Sequence, residues 1–206
     1  MANLIKPEDA WLGLDLNNVP LDNPLINREE KDIRRPDLHL LKLMRDPKYL
    51  GHTAKILLNI ELLPIQVVIL RELWTRPFPM FVASRGFGKS WLMSVYAMLK
   101  CALIPGTKVV IVGAAFRQSK VIFEYMETLW RDAPILRSIC DTNSGPRRDT
   151  DRCTMRINDS WAIAVPLGDG TKIRGLRAHT IIADEFASIP PDIYETVVAG
   201  FAAVSA

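Results

Sequence analysis

Residues 80–90 read Met-Phe-Val-Ala-Ser-Arg-Gly-Phe-Gly-Lys-Ser, and the fold turns on them. Met80 to Ala83 is a short apolar run, which predicts a strand. Ala83 to Ser90 follows the spacing G-x-x-x-x-G-K-[ST] at its last three positions, Gly88, Lys89 and Ser90, with Ala83 in place of the first glycine. A helix is predicted from Lys89 to about Leu103. Strand, glycine-bearing loop and helix N-terminus in this order make a phosphate cradle. Backbone N–H groups and the positive helix end face the anion. Gly86 and Gly88 let the chain bend without a Cβ in the way. Lys89 brings a point charge to the β- and γ-oxygens, and the Ser90 hydroxyl can hold Mg²⁺. The competing reading is an accidental glycine turn whose Lys-Ser merely starts a helix. Arg85 reads either as a surface arginine paired with a carboxylate or as a finger that offsets charge on a transferring phosphoryl group.

The partner motif lies 95 positions on (184 minus 89). Thr180 to Ala183 (TIIA) predicts a strand, and Asp184-Glu185 follows it. Ligand chemistry sits at the carboxyl ends of parallel strands. If this strand lay beside Met80–Ala83, both motifs would meet at one edge. Asp184 would then hold Mg²⁺, and Glu185 would orient and deprotonate the attacking water. An acidic pair favoured by a helix dipole is the plain alternative.

Outward from these motifs, 206 residues allow one domain with an appendage, and 49% hydrophobic residues suit a globular core. Lys+Arg 26 minus Asp+Glu 23 gives +3, too little to imply nucleic-acid binding by charge alone. Cys101, Cys140 and Cys153 form no C-x-x-C pair and suit a reducing compartment. The N-terminus lacks a basic region followed by an apolar run, so no secretory signal is expected. Ile56 to Leu70 is too short and too polar to span a bilayer.

Residues 1–26 read as an irregular arm. Asn27 to Met44 predicts a surface helix with Pro36 at a break or first turn. Leu57 to Trp74 predicts a helix restarting at Pro64, with Ile65, Val68, Ile69 and Leu73 on one apolar face. Lys108 to Ala114 predicts a buried strand and Phe116 to Arg131 a helix. Cys153–Ile157 and Trp161–Leu167 predict a hairpin around Asn158-Asp159-Ser160. Pro191 to Val198 predicts a helix with Gly200 past its end. Strands alternating with helices imply an α/β fold with a mostly parallel sheet. The expected division is an N-terminal helical arm, 1–56, and a P-loop core, 57–206. Arg147, Arg148, Arg152 and Arg156 form the densest basic segment, read as a solvated loop or a DNA-phosphate contact. His179 reads as structural.

These residues resemble the large terminase subunit of tailed bacteriophages, the DNA-packaging motor. The Ser84-Arg85-x-x-Gly88-Lys89-Ser90 loop looks like that family's variant phosphate loop. Ile173 to Glu185 (IRGLRAHTIIADE) is similar to its R-G-x-R segment leading into the acidic strand, and Leu62 to Gln66 (LLPIQ) to its upstream glutamine motif. VVIVGAAFRQSKVIFEYME resembles the element that follows the loop in terminases and helicases. The resemblance covers about residues 57–206. It implies a RecA-like P-loop NTPase that uses ATP and Mg²⁺. Ser84, Arg85, Gly86, Phe87, Gly88, Lys89 and Ser90 would bind nucleotide, with Gln66 on the adenine edge, although the sequence alone reads Gln66 equally as a polar residue on a helix face. Ser90 and Asp184 would hold the metal, and Glu185, Arg85 and Lys89 would be catalytic. Arg174 and Arg177 would sense the γ-phosphate, act on a neighbouring subunit or face solvent.

The resemblance further implies double-stranded DNA, a portal protein and a small terminase subunit as partners, a homo-oligomeric ring and the cytoplasm of an infected bacterium. In that family an RNase H-like nuclease domain follows the ATPase domain. The sequence ends at FAAVSA, so no DNA cleavage by this chain is expected. One lobe of a superfamily-two helicase shares the glutamine motif, loop and acidic box, although the box there often continues with alanine where this chain has Phe186. A nucleotide-binding module without turnover is the non-enzymatic alternative.

Overall fold

Three parallel strands carry the fold: β1 (Lys108–Gly113), β4 (Ser160–Ala164) and β5 (Thr180–Asp184). β1 lies between the other two, with Val110 opposite both Ile163 and Ile181. The computed structural model describes residues 36–113, 115–166, 178–193 and 195. Two antiparallel strands, β2 (Gly145–Arg148) and β3 (Cys153–Ile157), extend the sheet, giving the order β2-β3-β4-β1-β5. The described residues divide between two units, with the boundary after Lys42.

β1 is buried from Val109 to Gly113, as expected of a central parallel strand with an unbroken apolar run. Its side chains alternate between two cores. Val109 and Ile111 join the larger one with Ala162, Ala164 and Ile182, whereas Val110 and Val112 join the smaller with Ile163, Val165 and Ile189. Helices α4 (Lys89–Leu103) and α5 (Phe116–Arg131) supply the larger core. α5 buries one stripe, Ser119, Ile122, Phe123, Met126 and Leu129. α4 is buried almost all round, so it is an internal helix rather than a surface one. Its Tyr96 hydroxyl bonds to Thr180 at the start of β5, and burial pushes that phenol up to about 12 against the opposing effect of the bond.

Both helices begin and end where the sequence reading put them. The expected hairpin also forms. Its second strand runs Ser160–Ala164, and Leu167 lies outside the described residues. α1 (Pro36–Arg45) starts on Pro36, and the earlier part of the helix expected from Asn27 lies outside the described residues. α6 (Pro134–Ser138) was not expected. α7 (Pro191–Ile193) opens on its proline, while Gly200 and most of the expected remainder to Val198 lie outside the described residues.

Three expectations are corrected. Leu57–Trp74 is not one interrupted helix. α2 (Leu50–Leu58) starts earlier and stops where Asn59 turns left-handed at φ 55°, and α3 (Pro64–Thr75) is separate. Leu70 and Leu73 form the buried side of α3, whereas Ile65 and Val68 are exposed. Met80–Ala83 is not a strand. Met80 and Val82 are each 82% exposed, while Phe81 packs on the larger core. The alternation is that of extended chain, and among the described residues it pairs with no strand, β5 included. Finally, the basic segment is only partly loop: Arg152 lies in the connection between β2 and β3, whereas the first two arginines belong to a strand that was not expected. Arg147 and Arg148 lie in β2, and Arg156 lies in β3. Arg148 makes a two-pronged pair with Glu127 of α5, and Arg156 donates to Asn158 O at 2.8 Å.

Candidate functional site

Two left-handed glycines shape the loop before α4. Gly86 has φ 86° and Gly88 φ 85°, and Phe87 N–H closes a turn on Ser84 O at 3.4 Å. An L side chain costs about 1–2 kcal/mol in that region, which explains glycine at both places. Phe87 meets Phe81 edge to face, with centroids 5.8 Å apart, and so pins the loop to the segment before it. Gly88 is the N-cap of α4. The helix end has no side-chain cap and no acidic residue in its first turn. Its first N–H groups and the positive end of its dipole are therefore available to an anion. Lys89 folds back over the loop, donating from Nζ to Ala83 O at 2.6 Å and Ser84 O at 3.3 Å. Ser90 is in the first turn of α4. Arg85 is exposed and has no carboxylate partner among the described residues.

The acidic pair closes the other side. Asp184 is the last residue of β5, in register with Gly113 at the end of β1. Burial and the neighbouring Glu185 carboxylate raise the Asp184 carboxyl above the ordinary aspartate range. Glu185 N–H, 3.1 Å from Asp184 Oδ1, and the Lys89 ammonium oppose that shift. The lysine of the loop thus lies within electrostatic reach of the acidic strand. α4 links the two motifs: its N-terminus carries the lysine, and its Tyr96 reaches Thr180 at the start of β5.

Glu185 adopts φ 49°, ψ 49°. The other non-glycine residues with positive φ among those described are Asn59 and Asn158, and asparagine tolerates that conformation. A glutamate there stores strain on the order of 1–3 kcal/mol, which is a mark of functional sites. Its carboxylate accepts a hydrogen bond from Gln118 Nε2 of α5. The sequence reading missed Gln118. Its position as the third residue of a helix was a capping signal, but its partner is 67 positions away.

The donor set fits a divalent cation shared with phosphate. Adjacent carboxylates at a half-buried edge are destabilised by each other's charge, which a cation relieves, and the Ser90 hydroxyl is the further candidate oxygen. No group of three or more His, Cys, Asp or Glu that could hold a metal occurs among the described residues. Mg²⁺ commonly uses one or two protein oxygens plus substrate phosphates and water.

Of the other expected residues, Gln66 uses its Oε1 to accept from Leu63 N–H at 2.9 Å, capping α3. His179 Nδ1 accepts from Lys108 N–H at 3.1 Å, and the His179 backbone N–H donates to Lys108 O at 2.8 Å, so the residue before β5 is tied to the start of β1 as a structural residue. Arg174 and Arg177 lie outside the described residues. Among the described residues no helix is long and apolar enough to cross a membrane.

A search of curated protein sequences finds no match. Among solved structures, the large terminase ATPase domain of Thermus phage P74-26 matches with a TM-score of 0.53 at 19% identity, over 74% of this chain and 64% of that one. At that identity the likeness speaks to the fold alone, a RecA-like α/β fold, and the chain spans somewhat under two thirds of that domain. Residues 80–205 match the family described as terminase large subunit, T4-like virus type, N-terminal. That match takes in the loop, α4, α5, the whole sheet and the acidic pair, and the chain belongs to this terminase large-subunit family.

Proposed function

We propose that this chain hydrolyses ATP to drive double-stranded viral DNA into a procapsid. The observation that carries this reading is the family match over residues 80–205, which takes in both the glycine loop with Lys89 and the acidic strand end with Asp184 and Glu185.

In this reading the N-terminus of α4 and the loop residues Ser84 to Ser90 receive the triphosphate. Lys89 exchanges its bonds to Ala83 O and Ser84 O for phosphate oxygens, so binding reorders an ammonium already at the loop. Ser90 and Asp184 hold Mg²⁺, which when bound neutralises charge on the phosphate oxygens. Glu185 takes the proton of the attacking water, a role worth about 10²–10⁴ in rate. Arg85, exposed on the loop, is free to reach the phosphoryl charge. Gln66 offers its Nε2 amide to the adenine edge, its Oε1 being held by Leu63. Double-stranded DNA, a portal protein and a small terminase subunit are the proposed partners, in a homo-oligomeric ring in the infected bacterial cytoplasm.

Phosphate release by the full chain, with and without duplex DNA, tests the reading. Lys89→Ala should abolish nucleotide binding or turnover. Glu185→Gln should keep ATP affinity and stop hydrolysis. Unchanged hydrolysis in Lys89→Ala, or equal loss of affinity and turnover in Glu185→Gln, would contradict it.

A further inference from the structure

Gln118 sits where α5 meets the acidic strand, and both ends of its amide are used. Oε1 accepts from Ala115 N–H at 3.0 Å, and Nε2 donates to Glu185 Oε2. The space it occupies depends on glycine. A Cβ on Gly113 would lie 3.1 Å from Gln118 Cβ and 3.2 Å from its Oε1. Gly113 is also the residue paired with Asp184 in the β1–β5 register. One end of β1, the first turn of α5 and the turn after β5 are therefore joined around a single side-chain amide.

We propose that Gln118 is a positioning residue for Glu185. This rests on the assignment of Glu185 as the base that activates water. The amide can be held in only one orientation, because Ala115 N–H requires an oxygen and the Glu185 carboxylate requires a donor. Gln118 thus fixes one carboxylate oxygen and leaves Oε1 to face the water. It does so without bringing a second positive charge to the place where Lys89 acts. The Glu185 backbone is held at φ 49° by its N–H on Asp184 Oδ1 and its carbonyl on Ser188 N–H, and the Gln118 amide holds the side chain.

Gln118→Glu separates positioning from helix capping. A glutamate at this place still accepts from Ala115 N–H, as glutamate and glutamine both do in a capping box, but presents an anion in place of the donor. The full chain is measured in two ways. In the first, the side-chain amide resonance of Gln118 is followed by NMR in the wild type and in Glu185→Ala. It is expected to move, and an unmoved resonance overturns the contact. In the second, turnover and ATP affinity are compared. Gln118→Glu is expected to lower kcat about ten- to a hundredfold, the scale of a small misplacement of a reacting group, with ATP affinity retained and the chain still folded at the assay temperature. Wild-type kcat in Gln118→Glu would show that the residue only caps α5 and would overturn the proposal. Glu185→Gln in the same assay isolates the underlying assignment. If it turns over like the wild type, Glu185 is not the base, whatever the Gln118 amide does.

Discussion

Replacing Gly88 with alanine probes the shape of the phosphate loop in isolation from its contacts. Gly88 holds φ 85° and ψ 29° at the start of α4. A Cβ built there meets nothing within 4 Å, so the new methyl group clashes with no neighbour. What remains is the residue's own backbone preference, about 1–2 kcal/mol against an L residue in the left-handed region. The lower flexibility of the unfolded chain works the other way by about 0.4–1 kcal/mol. A net loss of about 1 kcal/mol is expected, or about 2–4 °C in Tm for a chain of this size. Gly88→Asn should cost less than Gly88→Ala, because asparagine visits this conformation more readily. The same order should hold at Gly86, which has φ 86° and equally open surroundings. Urea unfolding of the full-length variants measures the series. A Gly88→Ala chain as stable as the wild type, or an asparagine worse than alanine at both positions, would refute the left-handed loop.

Arg85→Ala should slow the chemical step by about 10³-fold or more, the scale of an arginine acting on phosphoryl charge. Steady-state kinetics decide it, since a change confined to KM would remove the finger. Tyr96→Phe removes the hydroxyl that bonds Thr180 and should cost about 0.5–1.5 kcal/mol in equilibrium unfolding; no cost would mean that α4 does not grip β5 there. Asp184 gives a signed pH dependence. Its carboxyl is raised in the folded chain, so the folded state holds that proton more tightly than the unfolded one. Stability of the metal-free wild type should therefore fall as pH rises from the ordinary aspartate value through the raised one. Asp184→Asn should lack that fall, and superimposable pH–stability curves would contradict the assignment.

What could be read along the chain was what local chemistry determines. α4 and α5 are bounded by a glycine loop and turn residues and carry long apolar stripes, so their limits were visible. β1 and β5 were visible as unbroken β-branched runs. The failures concern partners. Met80 to Ala83 has the composition and alternation of a strand, but a strand is defined by its neighbour, and the described sheet offers none. β2 (GPRR) has the opposite problem, since proline and two arginines argue against a strand. It is tolerated because it lies at the sheet's edge, where a residue without an N–H donor leaves no ladder bond unmade on the open side. Ile65 and Val68 repeat at helical spacing, yet the packing of α3 buries Leu70 and Leu73 instead. The loop and the acidic pair were legible as types of residue at a spacing, but the tether between Gln118 and Glu185 was not. It exists only once three elements have folded together.

Nucleotide affinity with and without Mg²⁺, measured by titration calorimetry on the wild type and on Asp184→Asn, addresses most directly whether loop and acidic strand serve one ligand. If they do, Mg²⁺ strengthens ATP binding in the wild type, and that gain disappears in Asp184→Asn while metal-free ATP still binds. An equal gain in both proteins would show that the carboxylate at the end of β5 takes no part in binding the metal–nucleotide unit.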